Sequence, residues 1–269
     1  MPFFTHDSAS LFYTDEGSGQ PALLLHGWSC DSHDWSFQIP MLLKLGLRVI
    51  ALDQRGHGRS SAPPGSYAPR ILVEDAFALL NHLKTGPVVL FGHSMGTIIA
   101  SILTVEHPEA VKALVVVHPI YGGVSPILTD ITKQMREGVA RAPQLAADFF
   151  ERVMYTPRTP EWVKTWNRRR VLGNAPEAIV GCLEGLLELY GKVVGQSEEA
   201  KMFMRRRECP RLAVCTLKVA SEWESEIGIV EGRDEVHLVE EGTFAHLVEA
   251  ETVNGIIEGW LKKMGLSDA

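Results

Sequence analysis

A doubly wound α/β fold, built on a mostly parallel sheet with an inserted helical cap, is what three observations in the sequence predict. Short, continuous apolar runs recur, as at Ala22–Leu25 and Val49–Leu52, the mark of strands buried on both faces, and Val111–Val117 reads as the next buried strand. Helix-period stretches stand between them, the alternation that makes a parallel sheet. Between about Tyr121 and Arg207, by contrast, helical segments follow one another with no strand between. These features divide the 269 residues into a core, 1–120 and 208–269, and a cap, 121–207.

Ser10 to Tyr13 suits a first strand, and Asp15–Gly19 supplies turn residues for a hairpin into the next one. Gly17-Ser18-Gly19-Gln20-Pro21-Ala22 mimics a dinucleotide-binding loop, but it precedes a strand and carries Pro21, so it is discarded. The Ala22–Leu25 run ends at His26-Gly27-Trp28. A helix over Trp35–Leu45 and a strand over Arg48–Leu52 complete a βαβ unit. The glycine-rich loop from Gln54 to Pro64 lacks the Gly-Lys-Ser/Thr ending of a phosphate-binding loop, which argues against nucleotide triphosphates. Ile71–Leu83 is helical in period, and Gly86-Pro87 stops it before the run at Val88. After the strand at Val111–Val117 come cap helices at Ile131–Ala140, Pro143–Met154, Pro160–Val171 and Pro176–Tyr190. Strands at Arg211–Cys215 and Glu235–Val239 and an amphipathic helix at Val253–Met264 close the chain. No internal repeat is found.

The net charge of −7 argues against a nucleic-acid partner, because a phosphate backbone needs a dominant basic face. Two local basic runs, Arg168–Arg170 and Arg205–Arg207, read as solvated helix faces. The alternative is a grip on an acidic substrate such as a carrier-protein phosphopantetheine or coenzyme A thioester. Cys30, Cys182, Cys209 and Cys215 form no C-x-x-C pair and follow no signal peptide, so reduced thiols in the cytoplasm are expected. No apolar run approaches the ~20 residues that span a bilayer, and no membrane partner is expected. The histidines show no metal-ligand spacing, and no metal or organic cofactor is expected.

The stretch on which the chain turns is Val88 to Ala100. A β-branched run ends at Gly92, helical spacing resumes at Ile98, and Ser94 lies on the turn between, in a G-x-S-x-G arrangement. Glycines at 92 and 96 remove β-carbons that would clash where a strand reverses into a helix. The following helix aims its free N–H groups at the place where an oxyanion would form. A nucleophilic serine is the chemistry such a turn serves.

Taken together, His26-Gly27-Trp28, Asp53 to Ser60, Gly92 to Gly96 and the late His246 resemble the α/β-hydrolase superfamily, over nearly the whole chain outside the cap. The resemblance implies an eight-stranded-type sheet, and within the family the chain looks most like small capped esterases, lactonases and thioesterases. Epoxide and haloalkane hydrolases use an aspartate nucleophile, against which Ser94 argues. By position, Ser94 is the nucleophile and His246 the base, with an oxyanion hole from the backbone N–H groups of Trp28 and Met95.

The triad acid is where the pattern breaks. The family's aspartate position, about ten residues past Pro210, holds Lys218-Val219-Ala220. Glu222 and Glu224 are nearest; Ser221 and Glu224 also read as a capping box, which leaves Glu222 as the candidate acid. Some relatives place the acid where this chain has His118, a residue that could hold the tautomer of His246 or line the site. The cap aromatics Phe149, Phe150, Tyr155, Trp162, Trp166 and Tyr190 read mainly as packing, with Trp166 and His118 the candidate substrate contacts. The expected function is hydrolysis of an ester, lactone or thioester of a small-molecule acyl substrate through an acyl-enzyme on Ser94. The alternatives are a cyclising thioesterase, a C–C bond hydrolase or hydroxynitrile lyase, and a receptor that binds without turnover.

Overall fold

The computed structural model describes residues 3–122 and 126–267. Its strands are β1 (Phe3–His6), β2 (Ala9–Glu16), β3 (Pro21–Leu25), β4 (Arg48–Leu52), β5 (Val88–His93), β6 (Val111–Val117), β7 (Arg211–Cys215) and β8 (Glu235–Leu238). They form one sheet in the order β1-β2-β4-β3-β5-β6-β7-β8, parallel from β4 to β8 and antiparallel at β1 and β2. The eight-stranded, mostly parallel sheet is thus the one expected.

The helices are α1 (Gln38–Lys44), α2 (Pro69–Leu83), α3 (Met95–Glu106), α4 (Pro126–Glu137), α5 (Ala142–Phe149), α6 (Glu161–Gly173), α7 (Pro176–Leu189), α8 (Glu198–Arg205), α9 (Lys218–Glu226), α10 (Ala245–Val248) and α11 (Ala250–Lys263). Alternation along the strands explains why both faces are covered. Leu23, Leu25, Leu90, Leu114 and Val116 pack with α2 and α3 on one side. Ala22, Leu24, Phe91, Val115 and Val117 pack with Trp35, Leu42 of α1 and Ile257 and Trp260 of α11 on the other. Helices α4 to α8 all fall between β6 and β7, where sequence periodicity places helices without a strand.

Two expectations fail for identifiable reasons. No β2–β3 hairpin forms: β2 pairs with β4, and β3 lies between β4 and β5. The last four residues of β3 are completely buried, so it takes a central position, whereas β2, half-exposed with Asp15 bonded to Arg48, can serve only near an edge. No capping box forms at Ser221 either, because α9 already begins at Lys218 and Ser221 lies within it.

The two arginine runs are only partly solvated. Arg168, Arg169, Arg205 and Arg206 are exposed, but the third arginine of each run is an internal ion-pair partner. Arg170 reaches Asp31 (3.0 Å) and Asp34 (2.6 Å), and fully buried Arg207 reaches Glu224 (2.9 Å). All four cysteines are free. No described helix is long and apolar enough to cross a membrane.

Candidate active site

Strand β5 delivers Ser94 directly to the start of α3. The backbone there has φ 51° and ψ −116°, an uncommon conformation for a residue other than glycine. The surroundings hold it. Ser94 N–H donates to the Val117 carbonyl (3.1 Å), and its own carbonyl accepts from Thr97 N–H (2.9 Å) and Thr97 Oγ1 (2.6 Å). A β-carbon on Gly92 would meet the Gly96 carbonyl and lie 2.8 Å from Thr97 Cα; one on Gly96 would meet the carbonyls of Leu25 and His26. Backbone on every side cannot yield, which is why the turn needs both glycines. We expect Gly96→Ala to lower the melting temperature sharply and to abolish any serine reactivity. A variant that melts like wild type would show the elbow to be looser than this packing implies.

Ser94 lines a cavity of about 440 Å³ between the strand ends and the inserted helices. Its walls are apolar: Phe149, Leu183 and Leu186 from the helices, Ile120 after β6, and Leu217 and Val219 at α9. Two helices widen to enter it. The chain after α5 makes one wide turn at Phe150–Met154, and that after α7 another at Tyr190–Val194; Val153, Met154 and Tyr190 face the cavity from these turns. Among the described residues no charged side chain lines this space. Trp28 and Met95 line it beside Ser94. The inserted helices tie down the loop bearing Trp28: its indole N–H donates to the Ile179 carbonyl (3.0 Å), and Asn174 donates to the Ser29 carbonyl (2.9 Å).

The remaining candidates separate. Glu222 points outward from α9, its side chain 61% exposed and 3.5 Å from Lys218. The inward face of that helix is taken by Ala220, Trp223 and Glu224, so Glu222 cannot face the site; this corrects its assignment as the acid. Glu224 is buried, but its carboxylate is held by Arg207 (2.9 Å) and Arg211 (3.0 Å). Trp166 lies outside the Ser94 cavity, in a separate surface cleft with Trp162 and Arg169, where it meets His33 edge to face and Arg170 lies over its ring. His118 lines the cavity.

His246 is displaced from the role that its position suggested. It lies on α10, wholly buried, with its ring 4.1 Å from that of His93 and 5.4 Å from that of Trp35. Neither ring nitrogen has a hydrogen-bond partner, so no bond joins it to Ser94, and it does not line the cavity. Thr243, three residues earlier, does. The Thr243 carbonyl accepts from His93 Nε2 (2.8 Å).

Behind the serine stands a buried cluster that sequence periodicity does not reveal. Asp34, His93 and His246 offer polar atoms within 4.8 Å of one another. Asp34 also faces Arg170, and although burial pushes its carboxyl up, Arg170 and His93 outweigh that and hold it well below the usual range. Such donor types can hold a metal, but a guanidinium already neutralises the only carboxylate, so the arrangement fits an internal ion pair better than a cation site.

Burial lowers four histidines: His26, His57 and His118, the latter two to about 3, and His246 well below its ordinary value. Their unfolded counterparts titrate near 6.5, so between about pH 6.5 and 3 the unfolded chain binds more protons. Their contribution to stability is complete above pH 6.5 and is lost as pH falls from there towards 3. We expect the melting temperature to drop steadily between pH 7 and pH 4.5; a flat profile would contradict the burial of neutral imidazoles.

Comparison with known proteins agrees with this fold. A family model described as "alpha/beta hydrolase fold" matches residues 21–167. The chain belongs to that family. The matched stretch of this alpha/beta-hydrolase-fold protein carries the elbow, the Trp28 loop and His118; Thr216, Glu222, Thr243 and His246 lie beyond it. Among curated relatives, a non-heme haloperoxidase of Rhodococcus erythropolis is 36% identical over 160 residues, 59% of this chain and 56% of that protein. A bifunctional epoxide hydrolase 2 of Sus scrofa is 36% identical over 106 residues, 39% of this chain and 19% of that one. The chain therefore spans about half, or less, of the length of these relatives. A thermophilic esterase from Thermogutta terrifontis superposes with TM-score 0.81 at 24% identity, covering 95% of this chain and 94% of its own. An enol-lactonase from Burkholderia xenovorans gives 0.79 at 18%, covering 97% and 100%. At these identities the likeness concerns the fold.

Proposed function

We propose that the protein is a hydrolase of uncharged, apolar ester-type substrates, esters or lactones before thioesters, acting through an acyl-enzyme on Ser94. The observation that carries this reading is the strained serine at the mouth of an elbow whose helix start and Trp28 loop converge on one apolar cavity. In it, α4 to α8 act as the cap, supplying the wall that takes the acyl portion. The carbonyl oxygen sits against the backbone N–H groups of Trp28 and Met95, where each donor typically contributes about 10²- to 10³-fold in rate. Esterases and an enol-lactonase among the structural neighbours are consistent with it. Because Arg170 and Arg207 are spent on internal ion pairs, and no charged side chain lines the cavity among the described residues, little supports a carrier-protein or coenzyme A thioester.

A second reading, a binding protein that does not turn its ligand over, is favoured by one observation: His246 lies outside the cavity with no bond to Ser94. Fluorophosphonate labelling, read by intact mass, together with turnover of p-nitrophenyl butyrate, separates the two. Hydrolysis requires both in the wild type. A wild type that neither labels nor turns over the ester, yet binds apolar ligands, would establish the second reading.

A further inference from the structure

Resting on the hydrolase reading, we propose that His118 is the general base for Ser94, oriented by Thr216. The two residues are neighbours by topology. Strands β5 and β6 are parallel, and their last paired residues are His93 and Val117, so Ser94 and His118 each stand one residue beyond, side by side at the strand ends. The bond from Ser94 N–H to the Val117 carbonyl fixes that relation. Both residues have positive φ, 51° and 52°, although neither is glycine; His118 N–H is anchored to the Val214 carbonyl (2.8 Å). Two adjacent strained residues opening onto one cavity are a costly arrangement for a structural role alone.

The imidazole is also set up for the task. Nδ1 bonds Thr216 Oγ1 (2.5 Å), at the end of β7. Nε2 has no protein partner among the described residues, yet is not among the sealed, unpartnered nitrogens, in contrast to both nitrogens of His246, and His118 lines the cavity. With Nδ1–H donating to Thr216 Oγ1, the Nε2 lone pair is free. Other polar groups are unsuited: Thr243 has no basic atom in its side chain, and Tyr121 is committed to Thr97 and Ser101.

The step balances without a co-reactant beyond water. As Ser94 Oγ bonds the carbonyl carbon, its proton passes to His118 Nε2 and the carbonyl π pair moves to the oxygen at Trp28 and Met95. Collapse breaks the bond to the leaving oxygen, which takes the proton from Nε2. Water, deprotonated by Nε2, then attacks the acyl-enzyme, and the proton returns to Ser94 Oγ.

The test is kinetic, on the full chain with p-nitrophenyl butyrate. His118→Ala should lower kcat by about 10²- to 10⁴-fold, the usual range for a general base. Added imidazole should restore part of that loss by entering the vacated space, which a structural defect would not permit. Thr216→Val should lower kcat several-fold with KM unchanged, and Thr216→Ser should recover it. His118→Gln, also followed by melting temperature, guards against simple misfolding. If the wild type labels and turns over but His118→Ala and His118→Gln keep its kcat, or if His246→Asn alone abolishes it, the base is not His118, while the hydrolase reading stands. If the wild type neither labels nor turns over, both fail together.

Discussion

Ser94→Ala is expected to abolish fluorophosphonate labelling and to reduce ester turnover to background, a loss on the order of 10⁴- to 10⁶-fold in kcat. Loss of the nucleophile has effects of this size in serine hydrolases, with oxyanion donors and substrate binding alone retaining some rate over water. The substitution removes one oxygen and leaves the β-carbon, and the hydrogen bonds that hold the turn use Ser94 backbone atoms, so the fold should be unaffected. Apolar ligands should bind the variant as they bind wild type, because the cavity wall is formed by Phe149, Leu183, Leu186 and their neighbours. Intact mass after labelling is the cleanest readout. Undiminished turnover by Ser94→Ala would move the chemistry away from the elbow altogether.

Arg170→Leu should be among the most destabilising single substitutions available, at about 3–5 kcal/mol, the cost of leaving a buried charge without its partner. The guanidinium joins α6 to the loop after β3 through Asp31 and Asp34, and Asp34 is completely inaccessible. Burial pushes the Asp31 carboxyl up, but its bond to His33 and the charge of Arg170 bring it down to about 2. Two buried carboxylates beside one another would thus lose their common cation. For a chain of this size the expected fall in melting temperature is about 10 °C. Replacing Asp34 as well, in Arg170→Leu with Asp34→Asn, should recover part of the loss, because the second substitution removes a stranded charge. Calorimetry of Arg170→Leu, Asp34→Asn and the double variant decides it: Arg170→Leu within about 1 °C of wild type, or strict additivity, would show that the pair is not coupled. Since the same contacts secure the loop bearing Trp28, serine labelling should slow in Arg170→Leu as well.

Much of the fold is legible without coordinates, for a local reason. Strands β3 to β7 are largely buried on both faces, so each is apolar over most of its length, and the helices between them carry their own period and stops such as Gly86-Pro87. The elbow is local too, since its glycines clash within a few residues of one another or with the adjacent strand end. What periodicity misreads are features whose partner is distant in sequence. Arg170 looks like one of three solvated arginines until α6 meets Asp31 and Asp34, more than 130 positions earlier. Glu222 and Glu224 differ only in which side of α9 they face, and a helix begun at Lys218 instead of Ser221 decides that.

The sequence by itself determined the doubly wound sheet, its helical insertion and the tight turn at Ser94, because hydrophobic period and glycine placement act over short spans of chain. Which histidine stands beside the serine at the strand ends is decided only by the tertiary structure. Order along the chain points to His246, but α10 places its ring against Trp35 and His93, while the pairing of β5 with β6 sets His118 next to Ser94. Order along a chain does not specify the direction of a side chain; packing of helices and register of strands do.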